Sequence, residues 1–202
     1  MLHDEKNKNF SKLYLLWLTV WFVSIAALSF GGIFSTLNLR LFAFLVVAST
    51  AALLIIYFKN QNVRQYLSTF SYKSLTILNV WRIPAGAAFL YYGWQNWLPE
   101  QFVFNAGYGD LIVGIIAPII FLLPESIPKY VVFHIFGLLD FIVAVGTGLT
   151  LTLLETPLIE NVAGFPIVLI PLFGVPITGA LHIILLHRLW CDKNASLVEV
   201  KI

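Results

Sequence analysis

Arg82, Asp110, Asp140 and His182 lie inside four successive apolar runs of this 202-residue chain. A charge at the centre of a bilayer costs about 2.5–3.5 kcal/mol on insertion scales, so such residues face a bundle interior, pair with one another or line a path. Arg82 with Asp140 offers a gated ion pair or an anion clamp; the structural alternative is a salt bridge that orients helices. His182 offers a proton relay or a ligand contact, because an imidazole titrates near neutrality. Its alternative is a neutral ring bonded to a helix carbonyl. Asp110 ends the string Gly107-Tyr108-Gly109-Asp110, where a carboxylate can cap a helix N-terminus.

The runs that carry these residues set the class. The chain is 59% hydrophobic and 11% charged, where soluble domains carry about 25% charged residues. The composition predicts an all-α polytopic membrane protein with the lipid bilayer as its main partner, one transmembrane domain over 1–202. Six runs approach the roughly 20 residues that a spanning helix needs: Leu13–Phe34, Leu41–Phe58, Leu75–Trp97, Gly107–Leu123, Val131–Leu153 and Pro166–His187. The first is too long for a cleaved signal core and reads as a signal anchor. The net charge is +2, and no Lys/Arg cluster is interleaved with aromatics, which argues against a nucleic-acid partner. The single cysteine, Cys191, excludes an internal disulfide and a cysteine-rich metal site.

Charges outside the runs predict the orientation. Lys6, Lys8, Lys12, Lys59, Arg64, Lys73, Lys129, Arg188, Lys193 and Lys201 fall on the side of the N-terminus, and Arg40 alone on the other. Under the positive-inside rule both termini are cytoplasmic. Tyr91, Tyr92, Trp94 and Trp97 mark the outer interface.

The first two runs hold no ionisable residue within their apolar stretches and read as a lipid-facing flank. The other four, over 75–187, each set one ionisable group on a stripe of small residues, as in Gly107, Asp110, Gly114, Ala117. Steps of three and four share a helix face, and small residues let helices approach closely in lipid. The expectation is a polar-cored four-helix unit. At about 1.5 Å rise per residue, Arg82, Asp140 and His182 fall at one level, with Asn79 and Thr178 on the same stripes. Asp110 is expected apart from them, about 5 Å from the outer end of its helix, in an outer vestibule with Gln95 and Asn96. His134 is expected at the interface, turned away from Asp140. Pro84, Pro118, Pro171 and Pro176 break helices where transporters build sites.

Three function classes fit. The leading one is a transport-like protein that binds or translocates a small ligand or protons, working as a homo-oligomer because a single chain is small. The second is a redox protein, with His134 and His182 as axial ligands of a b-type haem, or with a quinone pocket of Trp81, Arg82 and His182. The third is an intramembrane aspartyl protease using Asp110 and Asp140. The expected depths keep those carboxylates too far apart to share a proton. The Gly-x-Gly-Asp aspartate of such proteases also comes second in the chain, and here Asp110 precedes Asp140.

The region from Arg82 to His182 resembles a group of uncharacterised bacterial six-helix membrane proteins. The elements are Gly107-x-Gly-Asp110, Gly137-x-x-Asp140-x-x-x-Ala144 and Pro171-x4-Pro176-x5-His182. The resemblance implies a bacterial inner membrane and supplies no activity. A fainter likeness, carried by Arg82-x3-Gly86-x2-Phe89-Leu90-x2-Gly93, is to DoxX-like membrane proteins, which are linked to quinone chemistry.

Overall fold

A computed structural model describes residues 2–199, with side chains from 11 to 193. Lys201 of the charge count lies outside the described residues, as do the side chains of Lys6 and Lys8. The described chain is helical, with no strand. Its long helices are α1 (Leu2–Phe30), α2 (Leu39–Lys59), α3 (Arg82–Trp94), α4 (Gly109–Leu122), α5 (Ile127–Leu153) and α6 (Val175–Glu199). Five stretches among the described residues are long and apolar enough to cross a membrane: Ser11–Phe30, Leu39–Lys59, Glu100–Leu122, Ile127–Leu153 and Ile170–Lys193.

Local chemistry explains the starts. Asn38 accepts from the Arg40 N–H and opens α2. Ser71 accepts from the Ser74 N–H and opens the stretch before α3. Side-chain oxygens at these positions satisfy N–H groups that a helix leaves free. Pro128 stands in the first turn of α5, where a missing N–H costs nothing.

The third expected span is a composite. An α-helical turn at Tyr72–Thr76 leads into a 3-10 segment, Ile77–Trp81, and then into the 13-residue α3. Pro84, in the first turn of α3, has no N–H for the Val80 carbonyl and crowds it. The backbone tightens just before it. Two other starts also move. The fourth run opens at Glu100, not Gly107, through Glu100–Phe102 and a π-helical stretch at Val103–Tyr108. The fifth opens at Ile127, not Val131. A second π-helical stretch, Ile170–Gly174, precedes α6, and Pro176 withholds the N–H that would bond the Leu172 carbonyl.

The core joins Phe89, Phe102, Ala106, Ile167 and Val168 to Phe42 and Val46 of α2. The second helix is therefore part of the core, not a lipid-facing flank. Its Phe42, Val46, Thr50 and Tyr57 are all buried. Helix α1 is the least buried of the five apolar stretches, at 11% of its window, against 61% for the window that contains α6.

Helices α3 and α4 cross with backbones in contact. A Cβ on Gly86 would lie 2.6 Å from the Gly107 carbonyl oxygen and 2.8 Å from the Leu111 nitrogen. Gly86→Ala is expected to lower stability by about 1–3 kcal/mol, the usual cost of overpacking. Gly146→Ala, where a Cβ meets nothing within 4 Å, is expected to be neutral or to gain up to about 1 kcal/mol of helix propensity. Thermal unfolding in detergent compares the two, and equal midpoints would show that the helices do not cross at Gly86.

Candidate functional site

Arg82 opens α3 and is 3% exposed. Its Nε donates to Asp110 Oδ1 at 2.6 Å, and its Nη2 donates to Asp140 Oδ2. Its Nη1 lies 3.5 Å from His182 Nε2. A guanidinium only donates, so Nε2 of His182 is the acceptor and Nδ1 carries the ring proton. That Nδ1 lies 2.9 Å from His134 Nδ1, which must then accept. His134 Nε2 in turn donates to Thr76 Oγ1 at 3.1 Å. One chain of hydrogen bonds runs from the two carboxylates through Arg82, His182 and His134 to Thr76. Every link beyond Arg82 donates in the same direction.

Glycines make room for this chain. A Cβ on Gly109 would overlap the Asp140 carboxylate, and one on Gly137 would overlap the His182 ring. His134 and Asp140 flank Gly137 at three residues on either side, each about 60° round the helix from it. His182 docks on Gly137 between them and so reaches both neighbourhoods.

Three expectations change. Asp110 is not in a separate outer vestibule: it is 5% exposed and bonded to Arg82. Its helical run starts at Glu100, which sets Asp110 about 15 Å along the helix instead of about 5 Å. Gln95 and Asn96 do not accompany it. They form the turn after α3, with Asn96 exposed at φ 57°. His134 is not interfacial, being fully buried. The earlier start of α5 puts it about 10 Å in, and His182 supplies the bridge that its direction seemed to deny.

These contacts decide other assignments. A haem cannot be held by His134 and His182 as axial ligands, because their direct contact leaves no gap for a porphyrin. The depth argument against a carboxylate dyad fails, since Asp110 and Asp140 meet on one guanidinium. That guanidinium now takes the place of the proton shared in a catalytic dyad, and the reversed order of the aspartates stands.

Arg82 and Asp110 also form the floor of an open cleft lined mostly by carbon. Phe42, Phe89, Phe102 and Phe141 supply aromatic wall, and Thr178 lines it from α6. Of the expected quinone pocket, only Arg82 lines this cleft. Trp81 packs its ring on Gly174, and His182 lies behind Arg82. Thr152 and Ile159 border both the cleft and a second recess with Arg40, Glu155 and Glu160. This recess is the polar vestibule at that end of the bundle, and an Arg40–Glu155 ion pair of 2.9 Å crosses it. Asn79, fully buried, donates to the Thr76 carbonyl, and its Oδ1 has no partner among the described residues. Thr76 and the phenylalanine walls escaped the sequence reading. Thr76 stands one turn before Asn79, a spacing that would have exposed it; nothing in the sequence separates the wall phenylalanines from the others.

Removing Asp110 or Asp140 leaves Arg82 with one carboxylate and His182, whereas removing Arg82 strands two buried carboxylates. Breaking a buried pair costs about 3–5 kcal/mol. Arg82→Met is therefore expected to destabilise by at least that amount, and Asp140→Ala by less. The triple variant Arg82→Met/Asp110→Asn/Asp140→Asn should recover most of the loss. Chemical unfolding in detergent reads the order, and an Arg82→Met as stable as wild type would remove the ion cluster from the account.

Comparison with known proteins finds no match among curated proteins and none among solved structures. Residues 36–190 match a family described as a domain of unknown function, DUF8737. The matched region takes in every residue of the hydrogen-bonded chain and of the cleft, and leaves α1 outside. The chain belongs to this family, DUF8737.

Proposed function

We propose that this is a six-span protein of the bacterial inner membrane, with both termini cytoplasmic. In this reading it binds a small ligand in the cleft and exchanges a proton at the cleft floor, as a transport-like protein does. The composite helix from Tyr72 to Trp94 counts as the sixth span, because its pieces are contiguous and together approach the length a bilayer requires.

The observation that carries the reading is the floor itself. Two carboxylates share one guanidinium, so the cluster is one positive charge short of neutrality. A net charge held in a membrane interior is costly, and a bound proton or other monovalent cation relieves it. Arg82 keeps its protons, so the proton reaches the carboxylates from the cleft, which Asp110 lines.

Two measurements check this. A pH jump followed by infrared difference spectroscopy is expected to show a buried carboxyl signal that Asp110→Asn or Asp140→Asn removes. A wild-type protein with no titrating carboxyl would sink the proton reading. Cys191, exposed near the end of α6, is the single cysteine and reports the orientation. A membrane-impermeant maleimide should label it in inverted vesicles and leave it unlabelled in intact spheroplasts. The reverse pattern would invert the topology.

A further inference from the structure

We propose that the ligand of the cleft is an amphiphilic organic cation, an ammonium or phosphonium centre carrying apolar groups. The proposal rests on the ligand-binding reading above and names the class of ligand.

Charge is the first argument. The ionisable groups that face Asp110 are Arg82 from α3 and Asp140 from α5, with His182 from α6 behind Arg82. His182 accepts from the guanidinium and adds no positive charge. Helix α2 contributes Phe42, Ala43 and Val46 to the cleft, none of them ionisable. The floor therefore carries one excess negative charge, and a cationic head neutralises it. An anionic head meets the opposite situation: the carboxylates outnumber the arginine, and three of its five N–H donors are already engaged.

The second argument is an open acceptor. Asp110 is 95% buried and lines the cleft, yet only its Oδ1 is bonded. Among the described residues, Oδ2 takes no hydrogen bond and remains for a ligand.

The third argument is the wall. Aromatic faces attract a cation within about 6 Å, and four phenylalanines border this cleft. Val46, Ala144 and Leu149 add aliphatic surface for the apolar substituents. A bare metal ion needs a shell of oxygens, and the walls are mostly carbon. The neighbouring recess suits a cation as well. The recess next to the cleft, which shares Thr152 and Ile159 with it, carries Glu155 and Glu160 and one arginine, Arg40, that Glu155 already engages.

The test uses the purified full-length protein in detergent, with tetraphenylphosphonium as the probe and tetraphenylborate as its anionic counterpart of the same shape. Saturable binding of tetraphenylphosphonium is expected, weakened about tenfold or more in Asp110→Asn, with no saturable binding of tetraphenylborate. Because Asp110→Asn also disturbs the ion cluster, Ala43→Trp provides a second arm that fills the cleft and leaves the cluster in place. It should abolish binding while the carboxyl infrared signal persists. Equal or tighter binding of tetraphenylborate, or tetraphenylphosphonium binding that survives both variants, overturns the proposal. Absence of tetraphenylphosphonium binding in a wild type that retains its titrating carboxyl overturns the cation assignment alone. Loss of the carboxyl signal as well would overturn the reading on which it rests.

Discussion

One guanidinium shared between two carboxylates sets the terms for the rest of this bundle. Arg82 carries a permanent charge and is 3% exposed. Its cost is offset only if acceptors reach it from several helices. Asp110 comes from α4, Asp140 from α5 and His182 from α6. All three helices must therefore approach α3 at one level. The glycines at 86, 109 and 137 serve that demand, because each stands where a side chain would displace a backbone, a carboxylate or an imidazole.

The same demand accounts for the irregular backbone. A 3-10 segment ends just before Arg82, a π-helical stretch ends just before Gly109 and Asp110, and another ends four residues before Thr178. Such local changes of winding re-aim side chains within an otherwise regular helix. They also release carbonyls that a proline or a wide turn leaves unbonded. Regular α-helix at all three places would satisfy the backbone more simply but would rotate the polar groups away from one another.

The site is asymmetric along the bundle. On one side of Arg82 lies an apolar cleft that shares Thr152 and Ile159 with the recess of Arg40 and Glu155. On the other lies a single file of hydrogen-bonded side chains, His182, His134 and Thr76, all fully buried. The first is open space bordered by aromatic rings, and the second is a row of side chains in direct contact. Donor direction in the file follows from Arg82, which cannot accept, so one residue determines both the charge of the cleft floor and the tautomers of two histidines.

The amino-acid sequence by itself determined the class, the apolar helices and the identity of most polar groups at the site. Composition and run length suffice for that, because a bilayer core admits helices whose side chains are apolar and taxes every exception. Arg82, Asp110, Asp140 and His182 were visible for the same reason. Their grouping was not. It depended on where helices begin, and two runs begin earlier than their apolar stretches suggest, at Glu100 and Ile127. A shift of four to seven residues moves a side chain by about 6–10 Å along a helix, enough to bring Asp110 to Arg82 and His134 to His182. The break before α3 and the docking of His182 on Gly137 were likewise settled by packing between helices distant in the chain. So was the cleft, whose walls come from α2, α5 and segments between. A sequence pattern records which face of one helix is polar; only tertiary structure decides what that face meets.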